Sequence, residues 1–360
     1  MRMPVIFFCC ALLTGCEKRS ATEPDQARKD STKAVATPQP APVIPNGGGT
    51  KISKPEERTT QWYEEAAAHG DAAAQAKLGT MYAEGSGGVV KDEAKAVEWL
   101  RKAAAQGDAS AQAMLGGMFA EGKCAPTDQA EAVAWMDRAA ANGNAAAQSR
   151  LGVMYAEGAG VPRDDAKAAD LIQKAAVQGH AVAQFNLGIM FTTGKVVPKD
   201  EAKAVEWYQK SAAQGYAPAE ANLGGMYAEG IGIAKDEAKA VEWFQMAAAQ
   251  GHAVAQFNLA IRYAGGIGTS KDESKAAEWL KKSAFQGYAA AQFNLGVMYA
   301  NSIGGPRDDV RAFVWYTLAA RQNESEAVAE KNALDELMSA AQKEEARKIL
   351  AELLVKMPGQ

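Results

Sequence analysis

From residue 59 to about 322 the apolar and polar positions recur with a period of 36 residues. Trp99 and Trp135 stand one period apart, and Trp207, Trp243, Trp279 and Trp315 follow at the same step, with Leu171 in the vacant place. Trp62 precedes Trp99 by 37 because the Gly85-Ser86-Gly87-Gly88 loop carries one extra residue. Each period holds two stretches with apolar residues at helical spacing. The first, as in Ala74, Leu78, Met81 and Tyr82, stops at Gly85, a residue able to take the left-handed conformation that ends a helix. The second starts at an aspartate suited to capping (Asp92, Asp164, Asp200, Asp236, Asp272, Asp308) and carries Ala96, Trp99, Leu100, Ala103 and Ala104. It ends at a second glycine, found at 70, 107, 143, 179, 215, 251 and 287. We term the two predicted helices A and B.

Alanines at the crossing points and the glycine after the A-helix leucine allow close helix approach, and the tryptophan of each period is expected to fill the space between layers. One such unit cannot bury its apolar face alone. About seven of them, stacked over residues 59–322, predict an all-α helix-pair solenoid with a one-dimensional core. Residues 323–360, with Leu334, Leu337, Ile349, Leu353 and Leu354 apolar, are expected to add capping helices.

The A-x-x-x-L-G-x-x-Y-x-x-G helix, the G-V-x-x-D loop and the A-x-x-W-x-x-x-A-A-x-x-G helix at this spacing resemble the Sel1-like repeat, a relative of the tetratricopeptide repeat. The resemblance implies a right-handed superhelix that binds a protein or peptide on its concave face. Three residues depart from the pattern: Ala260 replaces the helix-packing glycine, Ser302 the helix-ending one, and Asn323 the glycine between repeats.

Ahead of the array, Met1 and Arg2 form a short positive start, and Met3 to Leu13 is an apolar run too short to span a bilayer. It closes on Leu13-Thr14-Gly15-Cys16, which resembles the bacterial lipobox. The resemblance implies cleavage after residue 15, acylation of Cys16, and, with Glu17 rather than Asp following, an outer-membrane lipoprotein facing the periplasm. Several acyl chains hold a protein far more firmly than one. Residues 16–58, rich in Lys, Thr, Ala, Pro and Gly, read as a disordered tether with a coil reach of roughly 35 Å. Membrane contact is therefore expected through the lipid anchor only.

Composition removes several functions. With 39 basic and 43 acidic residues the net charge is −4, which leaves no electrostatic footprint for nucleic acid. Three histidines and four cysteines offer little for a metal site, and cleavage would remove Cys9 and Cys10, leaving Cys16 and the loop residue Cys124. His180 and His252 follow inter-repeat glycines in phase with Asp71, Asp108 and Asn144, which marks a helix start rather than a ligand set. The Asp-Glu-Ala-Lys segments at 92–95, 200–203 and 236–239 recur at helix starts, as capping and dipole compensation require. No metal, cofactor or catalytic residue is expected.

The binding face follows from helical geometry. Val182, Asn186 and Ile189 lie within about 60° of one another, opposite the stripe marked by Leu187 and Phe191. Across the array the Asn186 position holds Lys77, Met114, Arg150, Asn186, Asn222, Asn258 and Asn294. An asparagine amide donates and accepts at once, so four in succession suit an extended partner backbone. Phe185, Phe257 and Phe293 lie beside them. Two readings stand for the asparagines, contact with a partner and hydrogen bonding between helices; for the phenylalanines, packing on the next repeat weighs more. By resemblance the chain is an interaction module, with immunity against a type VI secretion effector one role and an envelope-assembly scaffold another. A cell-wall or β-lactam hydrolase of the cysteine-rich repeat kind is a third reading, against which the missing repeat cysteines count.

The membrane assignment rests on one thiol. Cys16→Ser is expected to abolish lipidation and leave uncut precursor or soluble protein, whereas a variant that still fractionates with membranes like the parent would remove the lipoprotein reading.

Overall fold

The computed structural model describes residues 60–122, 129–303 and 305–357. The anchor residue Cys16, the tether to residue 59 and Cys124 lie outside them. Among the described residues there are seventeen helices and no strands. After α1 (Thr60–Ala68), A and B helices alternate. The pairs are α2 (Ala72–Glu84) with α3 (Glu93–Ala105), α4 (Ala109–Ala120) with α5 (Gln129–Ala141), and α6 (Ala145–Glu157) with α7 (Asp165–Val177). Next come α8 (Ala181–Thr193) with α9 (Glu201–Ala212), α10 (Ala217–Glu229) with α11 (Glu237–Ala249), α12 (Ala253–Gly265) with α13 (Glu273–Phe285), and α14 (Ala289–Ala300) with α15 (Asp309–Ala320). Two more helices, α16 (Ser325–Leu337) and α17 (Ala340–Lys356), close the chain and pack on α15.

Local chemistry sets the helix ends. Asp92, Asp164, Asp200, Asp236, Asp272 and Asp308 each accept a hydrogen bond from the backbone N–H three residues on, at 2.8–3.0 Å. At the A-helix starts Asp71, Asp108 and Asn144 do the same, as do His180 and His252 through Nδ1. These two histidines are thus capping residues. The glycines between repeats have φ of 77° to 92°, and Asn323 keeps that left-handed turn at 64°. Ser302, at 58°, likewise keeps the conformation of the glycine it replaces. They are the two non-glycine residues with positive φ among those described.

Within each unit the A and B helices meet at a glycine. A Cβ added at Gly79, Gly116, Gly152, Gly188, Gly224 or Gly296 would stand 2.6–2.8 Å from Leu100, Met136, Ile172, Tyr208, Phe244 or Tyr316, respectively. Those B-helix side chains are at most 2% exposed. The tryptophans expected to fill this space sit one residue earlier, about 100° round the helix, and all but Trp315 are half-buried. Trp207, for example, leans on the cluster formed by α7 of the preceding unit and α8 of its own. Lys102, Lys210 and Lys282 lie 3.9–4.0 Å from the ring centres of Trp99, Trp207 and Trp279, so aliphatic stems cover what the core does not. The tryptophan column therefore seams neighbouring units from the flank, and the residue after it fills the crossing.

One buried cation breaks the series. Where other units carry Met81, Met118, Met154, Met190, Met226 and Met298, α12 carries Arg262, 5% exposed. It pairs with Glu237 at 3.3 Å and lies 5.1 Å from the centre of the Phe244 ring. Burial pulls its pKa down from the ordinary arginine value, while Glu237 and Glu229 oppose the shift.

Tyr208→Ala is expected to cost about 3–5 kcal/mol, as for other large side chains removed from a packed crossing. Trp207→Ala, half-exposed, should cost about 1–2 kcal/mol. Denaturant melts of the two variants check the order; an equal or larger loss at Trp207 would put the tryptophan column back in the core.

Candidate functional site

The residues expected to meet a partner share the open face of the A helices. On α8 this face is formed by Val182, Asn186 and Ile189, with Phe185 at its edge; all four are half-buried. Val254, Asn258 and Ile261 repeat it on α12, and Ala290, Asn294 and Val297 on α14. On α10 the same positions are Pro218, Asn222 and Gly225. None of these residues is charged. Toward the N-terminus the column changes: Lys77 is exposed on α2, and Arg150 on α6 pairs with Glu121 at 3.3 Å.

The four asparagines are half-buried but not equivalent. Tyr208, buried beneath α8, holds its hydroxyl 3.2 Å from Thr192 Oγ1. Thr192 gives its one proton to the Gly188 carbonyl at 2.8 Å, so Tyr208 donates to Thr192, and the Asn222 side chain lies near enough to the hydroxyl to influence its titration. Burial raises the Tyr208 pKa, while the Thr192 and Asn222 side chains oppose the rise. Asn294 gives one N–H to the Ala290 carbonyl, a turn back on its own helix, at 2.8 Å. Asn186 and Asn258 make no hydrogen bond within the described residues. The reason is visible in the sequence: the residue 14 before Asn222 is Tyr208, while Asn186 and Asn258 have Ile172 and Phe244 there, without a hydroxyl.

The phenylalanines turn onto aromatic rings of their own B helix or of the start of the next A helix. Phe185 packs on Tyr208 and Tyr216 with ring centres 5.7 and 5.3 Å apart, Phe257 on Tyr288 at 5.3 Å, and Phe293 on Tyr316 at 5.6 Å. At 8% exposure Phe257 presents little surface. These rings are thus largely taken up by packing.

A second column was missed by sequence reasoning. Gln75, Gln112, Gln148, Gln184, Gln256 and Gln292, three residues before each A-helix leucine, are buried, and each donates its amide to the carbonyl eight residues earlier at 3.0–3.2 Å. Each also accepts from an amide 30 or 31 residues on, at the end of the following B helix: Gln106, Asn142, Gln178, Gln214, Gln286 and Gln322. The signal was the recurrence of these amides at the 36-residue step.

Among the described residues no group of three or more His, Cys, Asp or Glu side chains is placed to hold a metal ion, and no helix is long and apolar enough to cross a membrane.

The Sel1 repeat model matches residues 49–71, 72–108, 109–144, 145–180, 181–216, 217–252, 253–288 and 289–324. The chain belongs to the Sel1 repeat family. Seven matches are complete units, in line with the expected seven, and the eighth is a partial one at the start. A Sel1 repeat protein from Oxalobacter formigenes is 36% identical, with 78% of this chain and 80% of that one covered and a TM-score of 0.61. The c5321 protein, a protective antigen present in uropathogenic Escherichia coli strains displaying an SLR fold, is 31% identical over 83% of this chain and 79% of its own, with a TM-score of 0.46. Immunity protein Pa5087 from Pseudomonas aeruginosa is 22% identical over 59% and 81%, with a TM-score of 0.40. No curated protein matches the chain. Sel1 repeats are protein-interaction modules, and this chain is built as one.

Asn222 stands by the buried Tyr208 hydroxyl, so Asn222→Ala should lower stability, by up to about 0.5–1.5 kcal/mol. Asn186→Ala and Asn258→Ala should leave the melting midpoint nearly unchanged. Thermal melts of the three single variants test this, and an equal loss at all three would make the whole column structural.

Proposed function

We propose that this Sel1 repeat chain is a lipid-anchored, non-catalytic interaction module that faces the periplasm from the outer membrane. It holds an extended segment of a protein partner along the face running from α8 to α14. Two half-buried amides, Asn186 and Asn258, with no partner within the described residues, support this reading on a face whose neighbouring positions carry no charge. Asn222 and Asn294 each keep a carbonyl oxygen and one N–H for the same backbone. The partner segment that fits is uncharged and apolar on the side turned to Val182, Ile189, Val254, Ile261 and Val297. Lys77 and Arg150 continue the column into a charged half that sets the direction in which the segment lies. An envelope anchor at Cys16 and a long tether would let the module sample partners without fixing its orientation.

An immunity role and a scaffold role use this face differently. An immunity protein silences a toxic effector by occupying it, whereas a scaffold leaves its partner active. Partner capture by photocrosslinking from position 189 in intact cells, followed by an activity assay of the captured protein with and without the module, separates the two.

Asn186→Ala/Asn258→Ala is expected to weaken binding of the captured partner about tenfold or more, with helicity and melting intact. Unchanged affinity in a folded double variant would remove this face from the function.

A further inference from the structure

The buried amide column has one interruption. At the place of Gln184 and Gln256, α10 carries Glu220, 1% exposed. Gln250, at the end of α11, donates to one of its carboxyl oxygens at 2.8 Å, as the equivalent amides do elsewhere. In the six other units the remaining amide nitrogen donates to the carbonyl eight residues back. For Glu220 that carbonyl belongs to Ala212, the last residue of α9. A carboxylate has no proton to offer it. A carboxylic acid does.

We propose that the junction of α9 and α10 is a pH-sensitive joint of the solenoid, closed when Glu220 is protonated and donates to the Ala212 carbonyl, and loosened when the carboxyl ionises. In the ionised state the carboxylate and the Ala212 carbonyl, which also takes the Gly215 N–H at 2.8 Å, are two acceptors in a site with little access to water, and the side-chain bond made at the equivalent place in the six other units is missing.

No neighbouring charge holds the carboxyl ionised. On α9, Glu201 pairs with Lys199 and Lys203 with Asp200, Lys210 lies over Trp207, and Glu206 is exposed. On α10 and α11, Glu229 and Glu242 are exposed, Lys239 pairs with Asp236, and Glu237 pairs with Lys235 and Arg262. His252 caps α12 through Nδ1, and α8 has no charged residue. Burial raises the pKa of the Glu220 carboxyl, and the Gln250 bond opposes that rise only in part. The sign follows. A carboxyl whose folded value is raised contributes its full stability below its unfolded value, near 4.3, and loses it as pH rises through the folded value. The joint therefore weakens toward neutral pH, whereas most carboxylate-dependent contacts strengthen in that direction.

Hydrogen exchange of the full mature chain at several pH values, corrected for the pH dependence of the chemical step, reads the joint directly. Opening of α9 and α10 should rise with pH relative to α6 and α7, by up to about tenfold per pH unit between the two carboxyl values. Glu220→Gln should flatten that rise and slow exchange at neutral pH. Gln184→Glu should create the same dependence one unit earlier, at α7 and α8. The proposal fails if the parent α9–α10 junction tracks the other junctions at every pH, or if Glu220→Gln leaves its pH dependence in place. Should Gln184→Glu not fold, the parent and Glu220→Gln still decide.

Discussion

The architecture depends on how closely the two helices of a unit approach. At Gly79, Gly116, Gly152, Gly188, Gly224 and Gly296 the A helix presents bare backbone, and a large B-helix side chain lies against it where no Cβ would fit. This contact sets the spacing within a unit, and the spacing decides which residues are buried. The next unit then docks on a surface whose shape is already fixed. Ala260 is the one departure, and the side chain at the same offset there is Leu280, where the units on either side carry the rings of Phe244 and Tyr316.

Much of this was legible in the sequence. The period, the capping aspartates and the glycines that turn the chain are local signals, each readable within a few residues. Ser302 and Asn323 show why phase outweighs residue type, since both keep the backbone of the glycine they replace. Legibility fell where two adjacent apolar residues competed for one site. Trp207 and Tyr208 are both large and lie only about 100° apart on the helix, and the period alone does not say which one faces the glycine. The glutamine column was missed for a different reason. A polar residue inside an apolar repeat reads as solvent-facing, yet here its amide satisfies carbonyls at the helix end, where backbone partners run out.

The candidate binding face shows the same dependence on context. Four asparagines at equal steps look alike in the sequence, and their separation into free and engaged amides is set by residues on the neighbouring B helix. Asn222 lies by the Tyr208 hydroxyl, and the absence of a hydroxyl at Ile172 and Phe244 leaves Asn186 and Asn258 open. A side chain chosen to fill the core thus decides which surface amides are available to bind.

Every complete unit but one supplies its own glycine turn and reaches its neighbour through the same amide pair. Junctions built this way are interchangeable. A gene that gains or loses one whole period gives the new neighbours a joint they already know how to make, so the array can change length without redesign. The stretch around Glu220 and Arg262 is the exception. Its buried charged residues have no counterpart in the units on either side, so a crossover there would carry a buried charge into a junction that elsewhere holds a neutral amide or a methionine.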